Sequence, residues 1–156
     1  MKKNLLLFAL IVFGTFSKAQ FNFYVEVKKI ISISNPDIDL ENKLIGINVL
    51  NLSNKDSKEA TKQFEKAFTV YEYAKLKGGK NGFVSVSIVL DELSSMITIS
   101  LKRDKIIKTI LINADDISLK RELNFSNIIF NSDGNLVYKD LQATKIFESV
   151  NSLITR

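Results

Sequence analysis

The sequence predicts a single α/β domain in which helices cover a central mixed sheet. Three observations carry that expectation. Short apolar, β-branched runs alternate with segments of helical period along most of the chain, the pattern of a mainly parallel sheet with crossover helices. The last two strand-like runs flank an Asp133-Gly134 pair, a hairpin signal that adds an antiparallel pair at one edge. A length of 156 residues, 46% hydrophobic and 25% charged, suits one packed core and not two.

The first segment stands outside that domain. Residues 1–20 read MKKNLLLFALIVFGTFSKAQ. Lys2 and Lys3 precede an unbroken apolar run from Leu5 to Phe13, and Ser17-Lys18-Ala19 places small residues three and one before a cut after Ala19. This is the three-part pattern of a secretory signal. The apolar stretch is about a dozen residues, short of the roughly 20 that a membrane span needs. Without a cysteine to carry a lipid, a lipoprotein anchor is excluded. The expected division is therefore a signal peptide over residues 1–19 and one domain over residues 20–156. Of the 22 basic residues three lie in the signal, so the mature chain sets 19 against 17 acidic ones and the formal +5 falls to +2. No basic cluster with interleaved aromatics remains, which excludes a nucleic-acid surface. No later run reaches the length of a membrane span.

Within the domain, residues 21–34 (FNFYVEVKKIISIS) alternate loosely and are rich in aromatic and β-branched side chains, predicting an added N-terminal strand or hairpin. Asn35-Pro36-Asp37 breaks it. Residues 43–52 (KLIGINVLNL) form a short apolar run, as expected of a strand buried on both faces. A helix follows, capped by Asp56 or Ser57, with Ala60, Phe64, Ala67, Phe68 and Tyr71 on one apolar face and an end near Lys77. Tyr73 falls off that face. Residues 83–90 (FVSVSIVL) are the clearest strand, and Asp91-Glu92 opens a helix through about Lys102. Residues 106–113 read as a further strand and residues 115–123 as a short helix opened by Asp115-Asp116. Residues 127–131 and 136–139 form the hairpin, and residues 141–154 the last helix. The Gly-rich stretch at residues 78–82 precedes a strand, not the helix and hydroxyl of a phosphate loop, and reads as a turn.

This order, with three local stretches, resembles the thioredoxin-like superfamily, specifically the exported branch related to TlpA-type disulfide reductases and peroxiredoxins. LIGINVLNLSNKDSKE at residues 44–59 is similar to that family's core strand leading into the redox helix, with Asn48 and Leu50 where the family has its Asn-Phe-Trp segment. VSVSIVLD at residues 84–91 is similar to the second strand with its terminal Asp. NIIFNSDGNLVY at residues 127–138 is similar to the closing hairpin. The resemblance spans residues 43–154 and implies a single thioredoxin-like domain. It also implies a site. The family's two cysteines match Asn54 and Ser57, and its cis-proline matches Phe125 or Ser126.

Those departures decide the expected activity. The chain contains no Cys and no His. Thiol–disulfide exchange, peroxidase chemistry, Cys/His zinc sites and serine–histidine triads all lack their residues. A serine hydroxyl ionises far less readily than a thiol and cannot cycle between redox states. Asn54 and Ser57 also suit a turn and a helix cap, where their side-chain oxygens accept backbone N–H bonds. The expectation is a non-catalytic, cysteine-free protein, exported and periplasmic rather than extracellular, with no cofactor, no metal, no nucleic acid and no membrane span after signal cleavage. It would act by binding a protein or peptide partner of the bacterial envelope. The alternatives are a structural or accessory subunit of an envelope assembly, or an enzyme built on carboxylate or Lys chemistry, for which no constellation has recognisable spacing.

Overall fold

The computed structural model describes residues 2–77, 79, 81–91, 94–118 and 125–154, with side chains described from Lys18 onward. Its elements are α1 (Lys2–Ser34), β1 (Leu44–Leu50), α2 (Lys55–Tyr71), β2 (Phe83–Val89), α3 (Ser95–Arg103), β3 (Ile110–Asn113), a 3-10 turn (Ala114–Asp116), β4 (Asn127–Phe130), β5 (Leu136–Tyr138), a second 3-10 turn (Ala143–Lys145) and α4 (Ile146–Ser152). The five strands form one sheet in the order β3-β2-β1-β4-β5. β1, β2 and β3 are parallel, while β4 runs antiparallel to β1 and β5 to β4. The mixed sheet and its closing hairpin are those the sequence predicts.

The two sheet faces differ because side chains alternate along each strand. Register pairs Ile45 with Phe130 and Val84, and Val86 with Ile110, so one face is built of these apolar groups with Ile47, Ile88, Ile112 and Ile128. The other presents Gly46, Asn48, Ser85 and Ser87 to α2. Gly46 lets the helix sit close: a Cβ there would come within 2.4 Å of the Phe64 ring and 2.5 Å of Phe83. Those two rings stack at 6.0 Å. As expected, Phe64 and Phe68 are buried and Tyr73 is exposed. Tyr71 stacks on Phe147 of α4 and donates to Asn151 Oδ1 at 2.7 Å.

The added N-terminal strand is corrected: residues 21–34 belong to the long helix α1. Their composition fits both periods, and packing decides between them. Phe23, Tyr24, Val27 and Ile31, spaced for one helical stripe, are buried in the main core. Phe23 meets Phe125 edge-on at 5.3 Å, and Tyr24 lies 5.4 Å from Phe130 on the apolar sheet face. The β4–β5 turn tucks under this helix, where Gly134 (φ 79°) leaves no room for a Cβ beside Tyr24 and Phe21.

Other boundaries shift for identifiable reasons. α2 stops at Tyr71 rather than Lys77 because residues 75–76 pair with Asn81 and Ile154, and Lys77 N–H bonds to Leu153 O. β3 starts at Ile110 rather than Ile106 because the Glu65 carboxylate takes the N–H groups of Ile107, Lys108 and Thr109. Ser94, not Asp91, caps α3, and Asn113, not Asp115, caps the turn at Ala114–Asp116. The rest of the expected helix at residues 115–123 lies mostly outside the described residues, as do Glu92, Gly78 and Lys80. The last helix divides into the 3-10 turn and α4, which buries Ile146 and Val150.

Candidate functional site

Four residues separate β1 from α2, and the chain reverses through them, from Asn51 to Asn54. Side-chain oxygens hold the backbone of this turn. Asn54 Oδ1 accepts from Asp56 N at 2.8 Å and Ser57 N at 3.1 Å, which makes Asn54 the N-cap of α2. Asp56 occupies the first turn, where a carboxylate suits the positive end of the helix dipole. Ser57 Oγ donates to Asn51 O at 2.7 Å and accepts from Asn51 N at 3.1 Å. Leu52 N donates to Asp91 Oδ2 at 3.3 Å, tying the loop to the end of β2. Below the loop lies a buried network. Asn48 Nδ2 donates to Thr61 Oγ1 at 2.9 Å, Ser87 Oγ donates to Asn48 Oδ1 at 2.6 Å, and Thr61 Oγ1 donates to Ser57 O at 2.9 Å. The position of α2 against β1 and β2 is thereby fixed by hydrogen bonds as well as by packing.

The facing wall comes from the start of β4 and the segment after β5. Asn127 Nδ2 donates to Leu141 O at 2.7 Å and Leu141 N to Asn127 O at 3.0 Å. Asp140, in the left-handed region at φ 51°, accepts from Ser126 N at 3.3 Å. Behind this wall the Phe23 ring of α1 braces Phe125.

Between the walls lies an open cleft of about 700 Å³ at the carboxyl ends of the parallel strands, the place where open α/β sheets bind ligands. Asn54, Ser57, Phe125 and Ser126, matched separately from two distant stretches of sequence, all line it. So do residues that sequence reasoning did not single out for a site, among them Leu90, Asn127, Asp140, Gln142 and Thr144. The hairpin signal placed the chain near them, but nothing local marks residues 140–144, which reach the cleft only because β5 folds back on β4.

The cleft holds neither a thiol nor an imidazole. The Ser57 hydroxyl proton goes to a main-chain carbonyl, with no imidazole anywhere in the chain to take it. The neighbouring Lys145 donates to Glu148 at 2.9 Å, which raises its pKa above the ordinary ammonium value.

No family model matches the chain, and no curated protein matches it. Solved structures do. The thioredoxin domain of a thiol-disulfide oxidoreductase from Bacteroides vulgatus is similar with a TM-score of 0.58 at 16% identity, covering 75% of this chain and 83% of that one. A thiol:disulfide interchange protein from a Bacteroides species gives 0.53 at 17% identity, covering 74% and 76%. A thioredoxin-like protein from Parabacteroides distasonis gives 0.52 at 17% identity, covering 73% and 83%. The chain is thioredoxin-like in fold and carries no cysteine.

Proposed function

We propose that this cysteine-free thioredoxin-like domain is an exported protein of the bacterial envelope that binds an extended segment of a protein or peptide partner without catalysing a reaction on it. The observation that carries the reading is the convergence of Asn54, Ser57, Phe125 and Ser126 on one open cleft without a thiol. The fold supplies a groove at the strand ends, and its walls are held by hydrogen bonds that do not depend on redox state.

Export is supported by the charged start, apolar run and Ser17-Lys18-Ala19 site of the first segment. Among the described side chains of α1, the buried ones run from Phe23 to Ile31 and follow Ala19. Among the described residues no helix is long and apolar enough to cross a membrane.

The test is site-specific photocrosslinking in the native host. A crosslinker at position 54 or 126 should capture one defined envelope protein, while one at the exposed Lys75 should not. Identical adducts from all three positions, or none from the cleft, would refute binding there. The purified protein should show no insulin reduction above a buffer control, and its amino-terminal residue should be Gln20.

A further inference from the structure

We infer that the segment bound in this cleft is cationic, an extended stretch that carries Lys or Arg beside apolar side chains. The inference rests on the cleft reading above and adds the chemistry of the partner. Among the described residues the cleft is lined by two carboxylates, Asp56 and Asp140, and by no lysine or arginine. A third carboxylate, Asp91, stands just beyond Leu90 and turns toward the β1–α2 loop. This runs against the formal charge of the chain, +5 as a whole and +2 without residues 1–19. A negative trough on a positive protein is a local feature, and a like-charged segment would be disfavoured there.

The described cations nearby do little to cancel it. Lys139 reaches Asp140 only at 4.0 Å, with both side chains more than half exposed, a geometry that contributes little. Lys145 is paired with Glu148. Lys55 adjoins Asp56 in sequence but does not line the cleft. The apolar part of the recognition comes from Leu90, which is 50% exposed, and from Phe125 and Leu141 beside it. An exposed leucine in a cleft that Asp56 and Asp140 also line suits a side chain with an apolar stem and a charged head, which lysine and arginine both have.

The experiment uses the protein purified from its host and three end-blocked octapeptides that alternate valine with lysine, serine or glutamate. Binding is followed by calorimetry and by amide chemical shifts. The lysine peptide should bind about tenfold more tightly than the serine peptide, the glutamate peptide should bind least, and the shifts should centre on Asn54, Ser57 and Ser126. Added salt should narrow the gap. The double variant Asp56→Asn/Asp140→Asn, checked for an unchanged fold by circular dichroism, should bind the lysine and serine peptides alike. Equal binding of all three peptides at the cleft would overturn the cationic preference and leave the cleft reading standing. Failure of every peptide to shift cleft residues would overturn both. Lysine-peptide binding that survives the double variant would place the charge effect elsewhere and overturn the inference.

Discussion

At the scale of single residues, Asn54 and Ser57 are accounted for by the backbone they satisfy, and the proposed binding role would add to that one. Both act at the same helix end, Asn54 by capping and Ser57 by closing the preceding loop. Lys105 is less comfortable. It follows α3 at φ 61°, with its N–H bonded to Lys102 O and the next N–H to Leu101 O. That is the helix-end position where glycine is favoured, and a side chain there costs about 1–2 kcal/mol. Lys105→Gly should therefore raise stability by about 1 kcal/mol after the entropy that glycine adds to the unfolded chain, read as a higher urea midpoint; an unchanged or lower midpoint would refute the strain. Tyr24 gives a pH signature. Its phenol is pushed above the ordinary value of 10.0, chiefly by burial and then by the Asp133 carboxylate, while its hydroxyl donates to Ser132 O at 2.9 Å. The folded state thus holds this proton more tightly than the unfolded chain does. Its contribution is complete below pH 10 and is lost as pH rises through the folded pKa. In a phenolate absorbance titration Tyr24 should ionise above pH 10; a Tyr24→Phe variant that leaves the high-pH end of the curve unchanged would disprove this.

At the scale of elements, two attachments determine where secondary structure starts and stops. One is α1, whose stripe of Phe23, Tyr24, Val27 and Ile31 covers the apolar sheet face and whose Phe23 ring supports Phe125 at the cleft. The other is Glu65, a buried carboxylate on α2 that accepts from Ile107 N, Lys108 N, Thr109 N and the Thr109 hydroxyl, the last two both at 2.7 Å. Thr109 Oγ1 also lies 3.1 Å from Ser85 Oγ. This side chain does for the lead-in to β3 what a neighbouring strand would otherwise do. Glu65→Ala leaves buried donors without an acceptor and should cost about 3 kcal/mol, whereas Glu65→Gln keeps an acceptor oxygen and should cost about half as much. Denaturant unfolding of both variants checks the order, and equal small losses would show the latch to be dispensable. The strand-like reading of residues 21–34 failed at this scale. Alternation and helical spacing both fit FNFYVEVKKIISIS, and only contact with the sheet distinguishes them.

At the scale of the whole molecule, a fold shared with thiol-disulfide oxidoreductases is maintained without their reactive groups. The loop and helix start are held by Asn48, Thr61, Ser87, Asn54 and Ser57 through bonds that involve no sulfur. The geometry of a dithiol site can then be tested directly. Positions three apart in a first helical turn stand about 5–6 Å apart, within reach of a disulfide. The double variant Asn54→Cys/Ser57→Cys should form an intramolecular disulfide under mild oxidation, detected by thiol titration and mass. It should also lose about 1–2 kcal/mol in its reduced form through the missing cap. Two free thiols that resist oxidation would mean that the loop has departed from that geometry.

The sequence by itself determined the α/β class, the parallel core strands, the closing hairpin and the absence of thiol chemistry, because each follows from local periodicity, a turn signal or an inventory of residue types. It also placed Asn54 and Ser57 at a helix start and Phe125 and Ser126 before the hairpin. Tertiary structure alone decided that these four line one cleft, that Asp56 and Asp140 line it with them, and that residues 21–34 are helical. Those outcomes depend on contacts between segments far apart in the chain. A buried carboxylate delays the start of a strand, a sheet face selects a helix, and a folded-back hairpin brings residues 140–144 to the site. No local pattern records such contacts, since each side chain's partner lies outside its own element, 14 residues away for Asn127 and Leu141 and more than 40 for Glu65 and Thr109.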